Sequence, residues 1–557
     1  MRRFIGHRSG KAVMVAGAQS KCVSFRDIPH TTPLFETFVE HFEKVAKYYA
    51  YPPTLAGLKS AAGNVQLASE TRRIVVEVLR EQNQNFGSSD AAAKNLDRLA
   101  NGAVAVVTGQ QVGLFGGPAY SIYKAISAVA YARELSKLGI DAVPVFWLAT
   151  EDHDLAEINH AAWVNSKGLQ EFSLPATKQS EGRRVGEVIL GDPITALASR
   201  AADSLEGPDA DSVANALRES YALTQTYGSA FGKLIARLIP DLGLILLDPL
   251  DLRLHQVSAK IFRRALDESD SLRDALIARS KELERGGFHA QVKVARESTL
   301  LFYNVDGRRE ALRNRSGKFF AGEAQFTLEE LHSAIEREPE AFTPNVLLRP
   351  IVQDTLLPTA AYIGGPAEIA YMAQAEVVYK SLLGHMPAIL PRSSFTLIEP
   401  PVARLLKKYS LTFEDILGGR QLVRGKMERT SLPRALAKKF GTDEKSLHKI
   451  LTAYRDPLKK LDKTLLGALN SAEKKMLFQF AKLKGKAGRA ENLRTGILDR
   501  HERILLDALY PHRDLQERLL GGLPFLSAYG PDLVATLGDS GAQQSSRCAH
   551  QHHVIWL

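Results

Sequence analysis

The sequence predicts an α/β protein carrying an α-helical arm, and three observations carry that prediction. Short apolar runs alternate with helical patterns between residues 103 and 390, a glycine-rich turn joins one such run to a long helix, and beyond residue 400 the apolar spacing becomes purely helical. With 557 residues the chain exceeds the roughly 250–300 at which one core stops growing, so several domains are expected.

Residues 21–100 read as helical, with Phe35, Phe38, Val39, Phe42 and Val45 at steps of three and four until Pro52-Pro53 interrupts them. Residues 103–108 read as a strand, residues 109–118 as a glycine-rich loop, and Ile122, Ile126, Val129 and Leu135 mark the helix that follows. The apolar run 143–149 reads as a strand buried on both faces, which closes a βαβ unit. Further strand-like runs fall at 242–247, 292–294, 300–305, 346–348 and 388–390, with helical patterns at 258–266 and 367–383 between them. Leu458, Leu461, Leu465, Ala468, Ala472, Met476, Phe480 and Leu483 then mark a coiled-coil-like helix, with residues 493–509 returning antiparallel beside it. The expected division is an N-terminal extension (1–21), a first core part (22–286), a β-containing insertion (287–345), a second core part (346–399), a coiled-coil domain (400–510), a return to the core (511–537) and a disordered tail (538–557).

Composition narrows the function classes. Hydrophobic residues at 45% and charged residues at 24% are those of an ordinary globular protein. The net charge of +10 raises the question of a nucleic-acid partner, but residues 401–500 alone hold 24 Lys and Arg against 10 Asp and Glu. That basic arm lacks interleaved aromatics and reads as a solvated coiled-coil surface. The two cysteines, Cys22 and Cys548, exclude a disulfide framework and a four-cysteine zinc site, and a reducing cytoplasm is expected. No stretch approaches the roughly 18–20 apolar residues of a membrane span.

Three clusters could hold chemistry. In the loop 108–118, Gly109, Gly113, Gly116 and Gly117 at a strand's carboxyl end allow backbone amides to approach a ligand, with Thr108, Gln110, Gln111, Tyr120, Tyr123 and Lys124 around it. The loop matches neither the dinucleotide fingerprint nor the phosphate loop, and a plain tight connection is the alternative. The second cluster is Glu151-Asp152-His153-Asp154 with Glu157, Asn159 and His160, directly after the buried strand. Ionisable groups there need a polar cleft, and a His among carboxylates suits general base work, whereas an exposed acidic helix start is the competing reading. Adjacent side chains cannot all converge on one metal ion, and no zinc spacing is present, so no structural metal is expected. The third cluster holds Asn345, Arg349, Gly364, Gly365 and Glu368, then Arg392. Both arginines are candidates for carboxylate recognition or for structural ion pairs.

Two long motifs, Thr108-Gly-Gln-Gln-Val-Gly-Leu-Phe-Gly-Gly-Pro118 and Pro144-Val-Phe-Trp-Leu-Ala-Thr-Glu-Asp-His-Asp154 with Glu157-Ile-Asn-His160, resemble the bacillithiol biosynthesis cysteine-adding enzymes. The likeness continues through residues 287–292, 345–350, 364–371, 391–396 and 523–526 and covers about 22–537 in order. It implies a Rossmann-like core related to class I synthetases and nucleotidyl transferases, a connecting insertion, and an antiparallel coiled coil used for homodimerisation. It also implies a cytoplasmic ligase that joins cysteine to the amine of glucosaminyl-malate. In that reading Asp152 or His153 is the base, with Glu151 and Asp154 beside them. Lys124, Arg349 and Arg392 clamp carboxylates, while Gln110, Gln111, Asn159 and Asn345 read hydroxyls. Gly113, Gly116 and Gly117 offer amides to an anion. Amide formation in water is uphill, so ATP with magnesium is expected although no nucleotide motif stands out. A nucleotidyl transferase on the same fold and an RNA-binding protein using the basic arm are the alternatives.

Overall fold

The computed structural model describes residues 19–430, 432, 434–542, 548 and 550–557. Two compact units emerge, residues up to 395 with 517–553, and residues 396–516 with 554–557.

The first unit is built on a parallel sheet of β1 (Val104–Gln110), β2 (Ala142–Leu148), β3 (Ile245–Leu247), β4 (Thr359–Gly364) and β5 (Ala388–Pro391). Their spatial order is β5-β4-β1-β2-β3. Val107 pairs with Val145 on one side and Tyr362 on the other, and Val145 pairs onward with Ile245. All seven residues of β2 are buried, as a strand covered on both faces requires. Helix α1 (Tyr120–Lys137) follows β1, α2 (Leu252–Asp267) follows β3, α3 (Arg349–Leu356) precedes β4, and α4 (Pro366–Leu382) follows it. The chain steps outward from β1 through β2 to β3, then returns to place β4 and β5 on β1's other side. Strand order therefore reverses between β1 and β4, and in such sheets a crevice opens at that reversal beyond the carboxyl ends.

Before α3 the chain builds an antiparallel sheet from Ser298–Val305, Arg308–Arg315, Lys318–Ala321, Ala324–Phe326 and Phe342–Pro344. Two apolar runs read as strands are not strands. Residues 292–294 are irregular, and residues 346–348 form a turn because Asn345 Oδ1 accepts the amides of Leu347 and Leu348 at 3.0 Å.

The end of the chain also departs from expectation. Within the span read as a disordered tail, a helix reaches Ala542 and His552–Trp556 is a strand. The strand run is too short to show a period, yet four of its five residues are buried. Cys548 is joined to Cys22 by a disulfide, a pairing that the positions of the two cysteines in the sequence did not suggest. Cys22 lies in the strand Gln19–Val23, and residues 1–18 of the expected N-terminal extension lie outside the described residues.

The second unit is helical. Helix Leu465–Thr495, 31 residues long and therefore about 46 Å, runs antiparallel to Arg434–Ala453 and Arg455–Leu461. His448 Nδ1 meets Glu473 at 2.7 Å, Arg455 meets Asn470 at 2.8 Å, and the Phe440 and Phe480 rings lie 5.3 Å apart. The hairpin partner thus precedes the long helix, whereas the sequence pattern placed it at 493–509. Asp462, in extended backbone, breaks what had read as one helix from Leu458 to Leu483. Gly488 lets the long helix approach Arg420–Thr430, since a Cβ there would lie 1.9 Å from the Glu428 carbonyl oxygen.

Candidate active site

A cavity of about 620 Å³ lies beyond the carboxyl ends of β1, β2, β4 and β5, where strand order reverses. Of the residues singled out from the sequence, Gln110, Gln111, Lys124, Glu151, Asp152, His153, Asn345, Arg349, Gly365, Glu368 and Arg392 line it. Three distant sequence clusters therefore share one site.

The strand β2 delivers Glu151 and Asp152 side by side, and their surroundings drive them apart. Burial pushes the Glu151 carboxyl up to about 7, against the pull of the Arg309, Arg184 and Arg349 guanidiniums. Asp152 is also partly buried, but hydrogen bonds from His153 and Gln111 and the charge of Arg309 outweigh that and hold it well below the usual carboxylate range. Its Oδ1 accepts the His153 amide at 2.7 Å and its Oδ2 accepts Gln111 Nε2 at 2.9 Å. Arg309 Nη1 lies 3.0 Å from His153 Nδ1. A guanidinium can only donate, so the imidazole lone pair at Nδ1 is engaged. Asp152 and His153, the two expected bases, are thus both tied down, and Glu151 has the proton affinity suited to neutral pH. Asp154 turns away and caps the short helix Leu155–Ile158 by accepting the Glu157 amide at 3.2 Å.

The glycine-rich loop serves the fold more than a ligand. Gly113 donates its amide to Gln111, Gly116 to Gly113 and to the Tyr221 hydroxyl, and Gly117 to Leu114. The expected anion cradle is therefore spent on the loop itself. A Cβ on Gly113 would come 2.8 Å from Gly117 Cα, and Gly117 has φ +65°, so close packing and a left-handed turn explain the glycines. Thr108 locks β1 to β4 by donating to the Ile363 carbonyl at 2.9 Å. Gly364 accepts the Arg392 amide and has no room for a side chain beside Glu368. Tyr123 packs its ring against Phe395, centroids 5.0 Å apart, away from the cavity.

Lys124 is not free to clamp a substrate. Its ammonium donates to the Gly109 carbonyl and Gln110 Oε1, both at 2.8 Å, and pairs with Glu368. Those contacts use all three of its hydrogens. Glu368 also accepts the Tyr362 hydroxyl and the Gly365 amide at 2.7 Å, which anchors the start of α4. His160 lines a neighbouring groove with Gln111 and Glu157 instead, and Asn159 Oδ1 lies 3.4 Å from its Nδ1.

The two candidate arginines differ. Arg392 is committed to Glu517, Nη2 to Oε1 2.8 Å, and both side chains are almost fully buried. Arg349, partly open to the cavity, donates to Gln353 Oε1 at 3.0 Å and to the Tyr371 hydroxyl at 3.4 Å, and stacks near Trp147 and Tyr362. Among the described residues no carboxylate forms an ion pair with it. The nearby Asp354 is shielded behind Gln353, whose Nε2 donates to it at 2.9 Å, and burial pushes that carboxyl up to about 6. Glu368 acts on the Arg349 charge from a distance, but a guanidinium that no carboxylate holds at contact is what an anionic substrate group needs.

Sequence reading missed Arg309, which reaches the cavity from the antiparallel insertion and stacks on Phe302 at 3.7 Å. Nothing in the local pattern of Gly307-Arg308-Arg309 marks it, because only the tertiary fold returns that strand to β2. Trp147, which reads as part of a buried strand, also lines the wall beside Tyr371. Among the described residues no cluster of three or more His, Cys, Asp or Glu side chains is arranged to hold a metal ion, and no helix is long and apolar enough to cross a membrane.

Comparison with known proteins adds two family matches. The family described as bacillithiol biosynthesis BshC, N-terminal Rossmann-like domain, matches residues 19–393, and the BshC C-terminal coiled-coil domain matches residues 395–556. A Koribacter versatilis protein named "Putative cysteine ligase BshC" is 44% identical over 520 residues, covering 93% of this chain and 97% of its own. Proteins of the same name from Solibacter usitatus and Chlorobaculum tepidum are 36% and 33% identical, over 93% and 84% of this chain and 97% and 86% of theirs.

Proposed function

The chain belongs to the BshC family of bacillithiol biosynthesis, and on that premise we propose that it joins cysteine to the free amine of glucosaminyl-malate. It is a ligase with a Rossmann-like core and a coiled-coil domain. The observation that supports this substrate is the pairing of functions in one cavity: Arg349, a cation without a carboxylate partner, and Glu151, a carboxyl pushed up to about 7. A malate conjugate brings carboxylates for Arg349 and an ammonium group for Glu151.

In this reading the substrate ammonium loses its proton to the Glu151 carboxylate, and the resulting amine attacks the ATP-activated carboxyl of cysteine, forming the C–N bond as the C–O bond to the phosphate-bearing leaving group breaks. Asp152 stays ionised and, with Gln111 and Arg309, fixes His153 and the rim of the site. Lys124, Glu368 and Arg392 hold the β1 loop, α4 and β5 in register around it. ATP with magnesium supplies the driving force for the amide bond. We place the enzyme in the cytoplasm and assign homodimerisation to its coiled-coil arm. Leu461 and Phe478, exposed at 79% and 65%, support an apolar partner for that arm.

Deleting the gene and restoring it, with low-molecular-weight thiols followed by mass spectrometry, tests the assignment. Loss of bacillithiol with accumulation of glucosaminyl-malate, both reversed on restoration, is expected. An unchanged thiol pool and conjugate, in a host that makes bacillithiol and lacks a second copy, would contradict it.

A further inference from the structure

Behind Glu151 lies a buried histidine that the mechanism above does not use. His255 sits in the first turn of α2, the helix entered from β3, while Glu151 extends from the neighbouring strand β2. Parallel neighbours release their chains at the same edge of the sheet, which brings the two side chains together although 104 positions separate them in sequence. His255 Nε2 lies 3.7 Å from Glu151 Oε1, with the side chains 2% and 9% exposed. Neither ring nitrogen of His255 makes a hydrogen bond of good geometry, although the backbone carbonyls of Phe342 and Pro339 act on the ring as acceptors. A buried imidazole held this loosely is costly.

We propose that His255 is a positioning residue for Glu151, turning its Nε2–H toward the carboxylate whenever that carboxyl gives up its proton. This inference rests on the reading of Glu151 as the base. In the step it serves, the substrate ammonium passes one proton to Glu151 Oε and becomes the free amine. His255 keeps its own proton throughout and supplies a donor, not a proton. A small movement of the ring as the carboxyl ionises, with or without substrate, converts the 3.7 Å approach into a charge-assisted hydrogen bond.

The electrostatic surroundings fit that role. Burial pushes the His255 imidazole down to about 4, with Arg184 adding to it, so the ring is neutral where the enzyme works. A second full positive charge beside Glu151 would leave it too weak a base. The other groups that act on Glu151 are Arg309 from the insertion, Arg184 from the loop above, Asp248 after β3 and Arg349 from α3. Asp251, one turn before His255, acts on the imidazole itself. None of these supplies a neutral donor at Glu151 Oε1.

The test compares three variants of the full chain: His255→Phe, which removes the donor, His255→Gln, whose amide nitrogen can occupy the Nε2 position, and His255→Asn, whose amide cannot reach it. Two profiles are recorded against pH, the rate of cysteinyl amide formation and the thermal midpoint, the second independent of substrate. Loss of a hydrogen bond to a carboxylate raises its pKa by about one unit. His255→Phe and His255→Asn should therefore move both profiles about one unit to higher pH, while His255→Gln stays near the parent. If His255→Phe fails to fold, the Gln and Asn pair carries the same contrast. Profiles unshifted in both Phe and Asn, or shifted equally in Gln, would overturn the proposal and leave His255 as packing. Thermal profiles shifted in His255→Phe and His255→Asn but not in His255→Gln, with no amide formed by the parent, would support the positioning role and sink the ligase reading instead.

Discussion

The α3 wall and the β5 wall of the cavity each present one arginine, and the two arginines do different work. Arg392 is neutralised within the fold by Glu517, and Ser394 and the Phe395 amide bond the same carboxylate. Arg349 meets an amide and a phenol but no carboxylate. A side chain whose charge is already matched holds the wall in place. One whose charge is left open is set for something that arrives. The same division separates Lys124, saturated by the loop it anchors, from the neighbouring Glu151, whose burial leaves it close to neutrality.

The largest effect should come from breaking the matched pair. Arg392→Met leaves Glu517 buried without its counter-charge, a loss of about 3–5 kcal/mol measured by denaturant unfolding, and adding Glu517→Gln should recover much of it. Arg349→Met should leave stability within about 1 kcal/mol but lower kcat/KM for the malate conjugate roughly 100-fold, about 2.7 kcal/mol. Equal stability losses in the two variants would erase the distinction.

Glu151 sharpens the comparison through pH. Its folded pKa, about 7, lies above the usual 4.5, so the native state favours the protonated form. The stability this gives is fully present below about 4.5 and is lost as pH rises through about 7. Glu151→Gln removes that loss, so its stability relative to the parent should climb between those values and reach about 3 kcal/mol in its favour at pH 8, with catalysis abolished. A flat difference across this window would mean that the carboxyl ionises normally. The smallest effect is expected on the arm, where Phe478→Ser should change the thermal midpoint by less than about 0.5 kcal/mol equivalent yet weaken self-association in sedimentation. Unaltered sedimentation would remove Phe478 from the dimer contact.

Much of this was legible in the sequence, for physical reasons that also mark where reading stopped. The run Val143 to Leu148 announced a strand buried on both faces, and the turn Gly109 to Pro118 announced the strand's end beside it. Local pattern places a residue at a strand end, but it does not say which partner its side chain finds there. Arg349 and Arg392 read alike because Glu517, 125 positions beyond Arg392, comes back only through the fold. Arg309 and His255 were missed for the same reason, since neither belongs to a motif. The glycines of the loop were read as a cradle because a glycine needed for close packing, like Gly113 against Gly117, looks the same in sequence as one needed for a ligand. In the arm, Leu458 to Leu483 kept the helical spacing across the break at Asp462, so the pattern gave the helices without their pairing.

The most direct test of the account is mass-spectrometric detection of the cysteinyl amide formed by the purified full chain from cysteine, ATP with magnesium and glucosaminyl-malate, run beside folded Arg349→Met. The account predicts product in the parent, a roughly 100-fold lower rate in the variant, and poor use of a glucosamine acceptor lacking the malate carboxylates by both. No product from the folded parent, or equal rates in parent and Arg349→Met, would contradict it.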